Sequence, residues 1–346
     1  MSKAPSAQLG AGERTGRAIV LDELGSPQLR EIAAPSLRDG EILLATRVSG
    51  LCGTDLHKLA DPSALALSEG TVLGHELVGD VVESRHRDYA PGQRVVAPHH
   101  RECGLCELCR GGATTQCPVF RQNRLRPGGF SEWIAVDAAA LQGCARKIPT
   151  DLSDERAVFL EPAACVLRGI DRASTRPGSR VAVMGAGSMG LLHGLVLRAA
   201  FADLSIAIVE PDEERRRFAT RLGFAAPENL VEIGEPPEIV FDTVGGEGAL
   251  RDAAASIRRG GRIVLFAHAE SPAEVDLNRL FHREVSLVPT YSGSSREQQR
   301  IWEMLTEGRL DPSPLVTHRL PIESFAEGCR LARDRQALKV LFAFEH

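Results

Sequence analysis

The run RVAVMGAGSMG at residues 180–190 joins a short apolar segment to a glycine pattern of the form G-x-G-x-x-G. An apolar strand that turns through Gly185, Gly187 and Gly190 into a helix is built to receive a pyrophosphate. The first glycine permits the tight turn, the second lets the phosphates approach the backbone, and the third lets helix and strand pack closely. Ser188 and Met189 open the helix, whose free N–H groups and positive partial charge suit an anion. The next apolar run, LSIAIVE at 204–210, ends on Glu210, twenty residues after Gly190. A carboxylate at that spacing accepts hydrogen bonds from a ribose. A bare glycine turn can be merely structural. The strand before it, the helix after it and the acid beyond it favour dinucleotide binding.

Outward from this stretch, strands and helices alternate. The run 188–202 reads as a helix, 212–223 as a second, and EIVFDTVGG (238–246), GGRIVLFAH (260–268) and EVSLVPTYS (284–292) as further strands. Apolar strands separated by helices predict a doubly wound parallel sheet. Before it, 17–21 and 41–48 look like strands, and the chain stays turn-rich to about residue 149, as in a mostly β domain. Ser153 opens a helical stretch in which Pro162 forces a break or a restart. After a helix at 296–307 the chain ends in LKVLFAF, placed with the first domain. The expected boundaries are 1–160 for the mostly β domain, 161–295 for the parallel-sheet domain and 296–346 for a return segment. The length of 346 residues fits two domains, since single cores stop growing at about 250–300 residues.

Hydrophobic residues make up 43% and charged residues 25%, with a net charge of −5. Without a basic excess, nucleic acid is not expected as a partner. No apolar run is long enough to span a bilayer, so no membrane association is expected. Residues 1–17 lack an apolar leader core and read as a flexible arm, giving an expectation of a cytoplasmic protein. Four of the eight cysteines crowd into one short lobe, at about 98–120, rather than spreading as a disulfide framework. Cys144, Cys165 and Cys329 stand alone and read as small buried apolar residues.

Cys103, Cys106, Cys109 and Cys117 follow the spacing C-x2-C-x2-C-x7-C. Four thiolates close a tetrahedral shell and leave no position for substrate, which describes a structural zinc. An iron–sulfur cluster is the other reading of four cysteines. A second constellation is Cys52 to His57 (CGTDLH), Gly74-His75-Glu76 and Glu161-Pro162. Thiolate, imidazole and carboxylate together can hold zinc with one position open, where a hydroxyl binds and becomes more acidic. Cys52 or His57 taken alone would be unremarkable; the set beside a dinucleotide site carries the chemistry.

CGTDLH, GHE, PGQRV, the four-cysteine lobe, GGFSEW, EPAA and GAGSMG occur in the order found in the zinc-containing medium-chain alcohol dehydrogenase family, which the chain resembles from residue 17 to 344. The likeness is nearest to its sorbitol and L-threonine dehydrogenase branch. It implies an α/β protein with a GroES-like, mostly β catalytic domain and a Rossmann domain with a doubly wound parallel sheet. It implies two zinc ions per chain, NAD as cofactor, a small alcohol or ketone as substrate, and a homodimer or homotetramer. By this resemblance Cys52 and His75 match catalytic zinc ligands. Glu76 and Glu161 match carboxylates that bind the metal or hold its water. Thr54 and His57 match a proton relay, Asp55 a partner that orients the histidine ligand, and Arg215 an arginine beside the adenine.

The resemblance implies hydride transfer between a secondary alcohol of polyol, sugar-alcohol or cyclitol type and NAD. A threonine-type amino-alcohol dehydrogenase and a non-catalytic dinucleotide sensor are the alternatives. Glu161 stands where the simple-alcohol branch has cysteine. The loop 119–129, with Arg121, Arg124 and Arg126, is either a solvated loop or the mark of an anionic or hydroxyl-rich substrate.

Overall fold

A computed structural model describes residues 14–61, 67–268 and 272–345. Most of the arm expected at 1–17 lies outside the described residues. The chain forms two compact units. One comprises the residues up to Gly112, Gln116–Val158 and Val316 onward; the other comprises Ala113–Thr115 and Phe159–Leu315.

In the second unit five strands form a wholly parallel sheet. Its order is Ser205–Val209, Arg180–Met184, Ile239–Asp242, Arg262–Leu265 and Ser286–Pro289. The central strands Arg180–Met184 and Ile239–Asp242 are buried along nearly their whole length, which explains their apolar sequence. An isolated parallel bridge between Ala207 and Ala225 extends the sheet past Ser205–Val209. With that stub counted, the order is the 3-2-1-4-5-6 of a Rossmann fold. The stub is too short to show as a strand pattern in the sequence.

The helical stretch after Ser153 restarts as two helices. Ser153 caps Asp154–Ala157 by accepting the Arg156 N–H, and Leu160–Arg172 follows with Pro162 in its first turn. Proline is tolerated there because the first-turn N–H groups have no helical partner. The helix Ser295–Thr306 packs on Leu160–Arg172, tied by Arg300 to Asp171 and by Arg168 to Glu297. The return segment of the other unit therefore begins at Val316, not at residue 296.

The first unit is built on a mixed sheet. Its central path runs Val316–Pro321, Lys339–Ala343, Ile42–Gly50, Glu76–Ser84, Arg94–Val96 and Arg146–Lys147. The C-terminal strand Lys339–Ala343 lies antiparallel against Ile42–Gly50, which in turn pairs with Glu76–Ser84. Ile42, Leu44, Leu77, Val81 and Ile134 form one core of this unit; Phe130, Phe325 and Phe342 anchor another. Among the described residues no helix is long and apolar enough to cross a membrane.

Candidate active site and metal centres

Cys52 stands where the strand Ile42–Gly50 gives way to the helix Gly53–Ala60. It is the N-cap, with extended backbone, and its sulfur accepts the Thr54 N–H at 3.5 Å. Asp55 completes a capping box: its Oδ2 accepts the Cys52 N–H at 3.1 Å. Its Oδ1 accepts the Gly74 N–H at 3.2 Å and lies 3.5 Å from His75 Nδ1. One fully buried carboxylate thus fixes both ligand-bearing segments. Burial alone would raise the Asp55 pKa, but His75, the Cys52 N–H and Lys58 outweigh it and the pKa is lowered. Burial alone would lower that of His75, but Asp55 and Cys52 raise it well above the ordinary value.

Cys52, His75 and Glu76 bring their ligand atoms within 4.8 Å of one another. Glu76 is buried, and its Oε1 has no hydrogen-bond partner among the described residues. An orphaned carboxylate oxygen beside a thiol and an imidazole fits a divalent metal with mixed ligands. Thr54 and His57 lie three residues apart on one face of the helix, both exposed. Glu161 belongs to the other unit, as the second residue of Leu160–Arg172, where it accepts a hydrogen bond from the Cys165 thiol at 3.4 Å.

In the lobe, the sulfurs of Cys103, Cys106, Cys109 and Cys117 also lie within 4.8 Å of one another. Cys106 to Cys109 and Cys117 to Cys103 are 3.5 Å apart, and Cys103 to Cys109 is 4.0 Å. Tetrahedral Zn–S bonds place sulfurs about 3.8 Å apart, so the set fits zinc as it stands. The N–H groups of Leu105 and Cys106 point at the Cys103 sulfur and lower its pKa to about 6. Burial and Cys106 push Cys109 up to about 12.

The glycine turn closes the first strand of the parallel sheet. Gly185 has φ +94°, and a Cβ on Gly190 would lie 1.8 Å from the Gly185 carbonyl oxygen, so neither position accepts a side chain. Gly187 is the N-cap of the helix Ser188–Ala200, with Ser188 and Met189 in its first turn. The Ser188 hydroxyl is buried without a hydrogen-bond partner among the described residues, which suits a ligand at this turn. Glu210 is buried at the end of the adjacent strand. Its Oε2 accepts the Ala186 N–H at 2.7 Å and its Oε1 the Asp212 N–H at 3.0 Å. A Cβ at Gly187 would come within 3.9 Å of the Arg215 guanidinium, so that arginine reaches over the glycine turn. Arg216 is engaged with the carbonyls of Glu210 and Pro211, and Arg217 pairs with Glu213 on the exposed face.

Two family models match the chain: "Alcohol dehydrogenase GroES-like domain" over residues 38–146 and "Zinc-binding dehydrogenase" over 188–307. Together they cover well over half of it. The chain belongs to the zinc-containing medium-chain alcohol dehydrogenase family. It is similar to the L-threonine 3-dehydrogenase of Yersinia pestis (strain Pestoides F), at 28% identity over 336 residues, 92% of this chain and 96% of that protein. Among solved structures it resembles the alcohol dehydrogenase TADH from Thermus sp. ATN1, at 28% identity and TM-score 0.81, over 95% of this chain and 100% of the other. It shares its fold with galactitol-1-phosphate dehydrogenase from Escherichia coli, at 23% identity and TM-score 0.82, over 95% and 100%. As a family member, the chain is an oxidoreductase acting on CH–OH groups.

Other residues, not singled out in the sequence, stand beside this dehydrogenase's Cys52–His75–Glu76 cluster. The His99 ring lies 4.5 Å from that of His75 and 3.6 Å from that of His100. Burial, then the neighbouring His75, lowers the pKa of both: His99 falls well below its ordinary value and His100 to about 3. Lys339 pairs with Glu76 from the C-terminal strand. The adjacent histidines were a visible signal; a single lysine opening an apolar strand was not. Cys144 and Cys329 are buried as expected, whereas Cys165 is only partly buried and hydrogen-bonded to Glu161. In the loop 119–129, Arg124 pairs with Asp137 and Arg126 with Glu41, so these two serve the fold.

Proposed function

We propose that the chain oxidises a secondary alcohol of polyol, sugar-alcohol or cyclitol type with NAD, and reduces the matching ketone in reverse. The observation that carries this reading is the buried cluster of Cys52, His75 and Glu76, with an orphaned carboxylate oxygen, in a chain that also holds a dinucleotide turn. Cys52 and His75 would bind a catalytic zinc, with Glu76 or Glu161 as the carboxylate, and the four-cysteine lobe a second, structural zinc. When bound, the catalytic zinc supplies Lewis acidity to a hydroxyl, and the dinucleotide supplies a hydride acceptor.

The chain's own residues do the rest. Asp55 holds the His75 ring and the Cys52 segment in place. Thr54 and His57 carry the hydroxyl proton outward along one helix face. The N-terminus of Ser188–Ala200 takes the pyrophosphate, with Ser188 and Met189 in its first turn and Arg215 over it. Glu210 accepts hydrogen bonds from the ribose through lone pairs that Ala186 and Asp212 leave unused, and it opposes a 2′-phosphate. Of the arginines that could offset this charge, Arg216 is held by backbone carbonyls and Arg217 pairs with Glu213, while Arg215 lies over the glycine turn.

A threonine-type amino-alcohol substrate is the second reading, favoured by the L-threonine 3-dehydrogenase relatives. A screen of polyols, cyclitols, simple secondary alcohols and L-threonine with NAD, followed by NADH absorbance, separates the two. Turnover on L-threonine alone would favour the second; no turnover on any alcohol would support a dinucleotide sensor. We also place the working protein in the cytoplasm, which suits its reduced thiols, as a homodimer or homotetramer to be sized by light scattering.

A further inference from the structure

Gly50, Glu76 and Lys339 meet on three neighbouring strands. Gly50 lies directly opposite Glu76 on one side and opposite Leu341 on the other. Lys339 enters this row from the C-terminal strand with its ammonium buried: the residue is 3% exposed, and Glu76 1%. The Lys339 Nζ donates to the Leu51 carbonyl at 3.1 Å and forms an ion pair with Glu76 Oε2. Both partners adjoin metal-ligand positions, since Leu51 precedes Cys52 and Glu76 follows His75. Gly50 makes the arrangement possible, because a Cβ there would lie 2.4 Å from Glu76 Oε2.

A lysine is kept this deeply buried only where something compensates its desolvation. Here the compensation is a carboxylate that also lies within reach of a metal. One Glu76 oxygen is held by the lysine, and the other has no hydrogen-bond partner among the described residues. The ligand atoms of Cys52, His75 and Glu76 are at most 4.8 Å apart. A carboxylate that close to a divalent ion, with no competing cation, would be drawn into the coordination shell and occupy the position a substrate hydroxyl needs.

We propose that Lys339 is a positioning residue whose ammonium competes with the catalytic metal for the Glu76 carboxylate, and so keeps a coordination position free for the alcohol. This rests on the reading of Cys52 and His75 as ligands of a catalytic zinc, and it deepens that reading by giving Glu76 a default place off the metal. The lysine serves as an internal counter-charge. Its hold on the Leu51 carbonyl also steadies the backbone entering the Cys52 cap.

The test compares the zinc-loaded wild type with Lys339→Met, Lys339→Arg, Glu76→Gln and the double variant Lys339→Met/Glu76→Gln. The readouts are the rate of zinc transfer to a chromogenic chelator and the visible spectrum of the cobalt-substituted protein, with kcat and KM alongside. Lys339→Met is expected to slow metal loss from the non-lobe site about tenfold, to shift the cobalt spectrum toward a higher coordination number and to lower kcat about tenfold. Lys339→Arg keeps a cation and stays near wild type. The double variant loses the carboxylate and returns metal loss to the wild-type rate or faster.

A lysine that merely held the strands together would give the opposite result, faster metal loss in Lys339→Met. That result, or an unchanged rate in the folded variant, overturns the proposal. If Lys339→Met does not fold, Glu76→Gln decides: less than a twofold change in metal loss supports a carboxylate held off the metal, and a large acceleration overturns it. A wild-type chain with no zinc outside the lobe defeats the catalytic-zinc reading itself, before any variant is compared.

Discussion

The four-cysteine lobe and the Cys52 cluster both bring together side chains that could hold a metal, and they differ in almost every other respect. The lobe takes all its ligands from one short segment, Cys103 to Cys117, and its backbone N–H groups are spent on its own sulfurs. The Cys52 cluster draws on a strand end, a helix cap and a strand start, and each of its side chains is governed by another residue. Asp55 orients His75 and holds the Cys52 N–H, and Lys339 pairs with Glu76. A closed shell of like ligands stabilises a loop, whereas a mixed shell of separately held ligands leaves room for chemistry. The sites should therefore respond in opposite ways to the loss of one ligand.

The largest effect on turnover is expected from Cys52→Ala. Loss of the metal's polarising effect should lower kcat about a thousandfold or more, while NADH titration by fluorescence shows binding close to wild type. Loss of NADH binding together with turnover would mean that the two functions are not divided between the units as described. His57→Gln comes next. It should slow alcohol oxidation about ten- to a hundredfold, with partial recovery in added imidazole, because the base then comes from solution. A variant as fast as wild type would leave His57 as a surface residue.

Glu210→Ala should narrow the preference for NAD over NADP by about tenfold, measured as the ratio of kcat/KM for the two cofactors. A wild type that prefers NADP would contradict the assignment before the variant is made. The smallest effect on turnover belongs to the lobe. Cys103→Ser should leave kcat per folded chain within about threefold and lower the melting temperature by about 5–10 °C, read by calorimetry. A lobe variant that melts like wild type but turns over slowly would reverse the roles of the two metal centres.

The same contrast explains what could be read without a structure. The parallel sheet was legible because strands buried on both faces, such as Val181 to Met184, leave unbroken apolar runs. The lobe and the glycine turn were legible because their residues are neighbours in sequence. The end of the parallel-sheet unit was not, because the amphipathic pattern of Ser295–Thr306 does not say which unit its apolar face meets. Lys339 was hidden for a similar reason: only strand pairing brings it to Glu76. The engagement of Glu210 with the Ala186 N–H also depends on the folded turn. Contacts that pass through the sheet carry no local pattern, and they are the ones that reach the Cys52 cluster.

The most direct test is a zinc count followed by timed removal with a chelator, with activity assayed at each point. Two zinc ions per chain should leave in two phases, and activity should fall with the first. The first phase should quicken as pH is lowered, because protons compete for His75, whose pKa stands well above its ordinary value. One zinc per chain, or activity that outlasts the first zinc to leave, would contradict a division into one open and one closed metal centre.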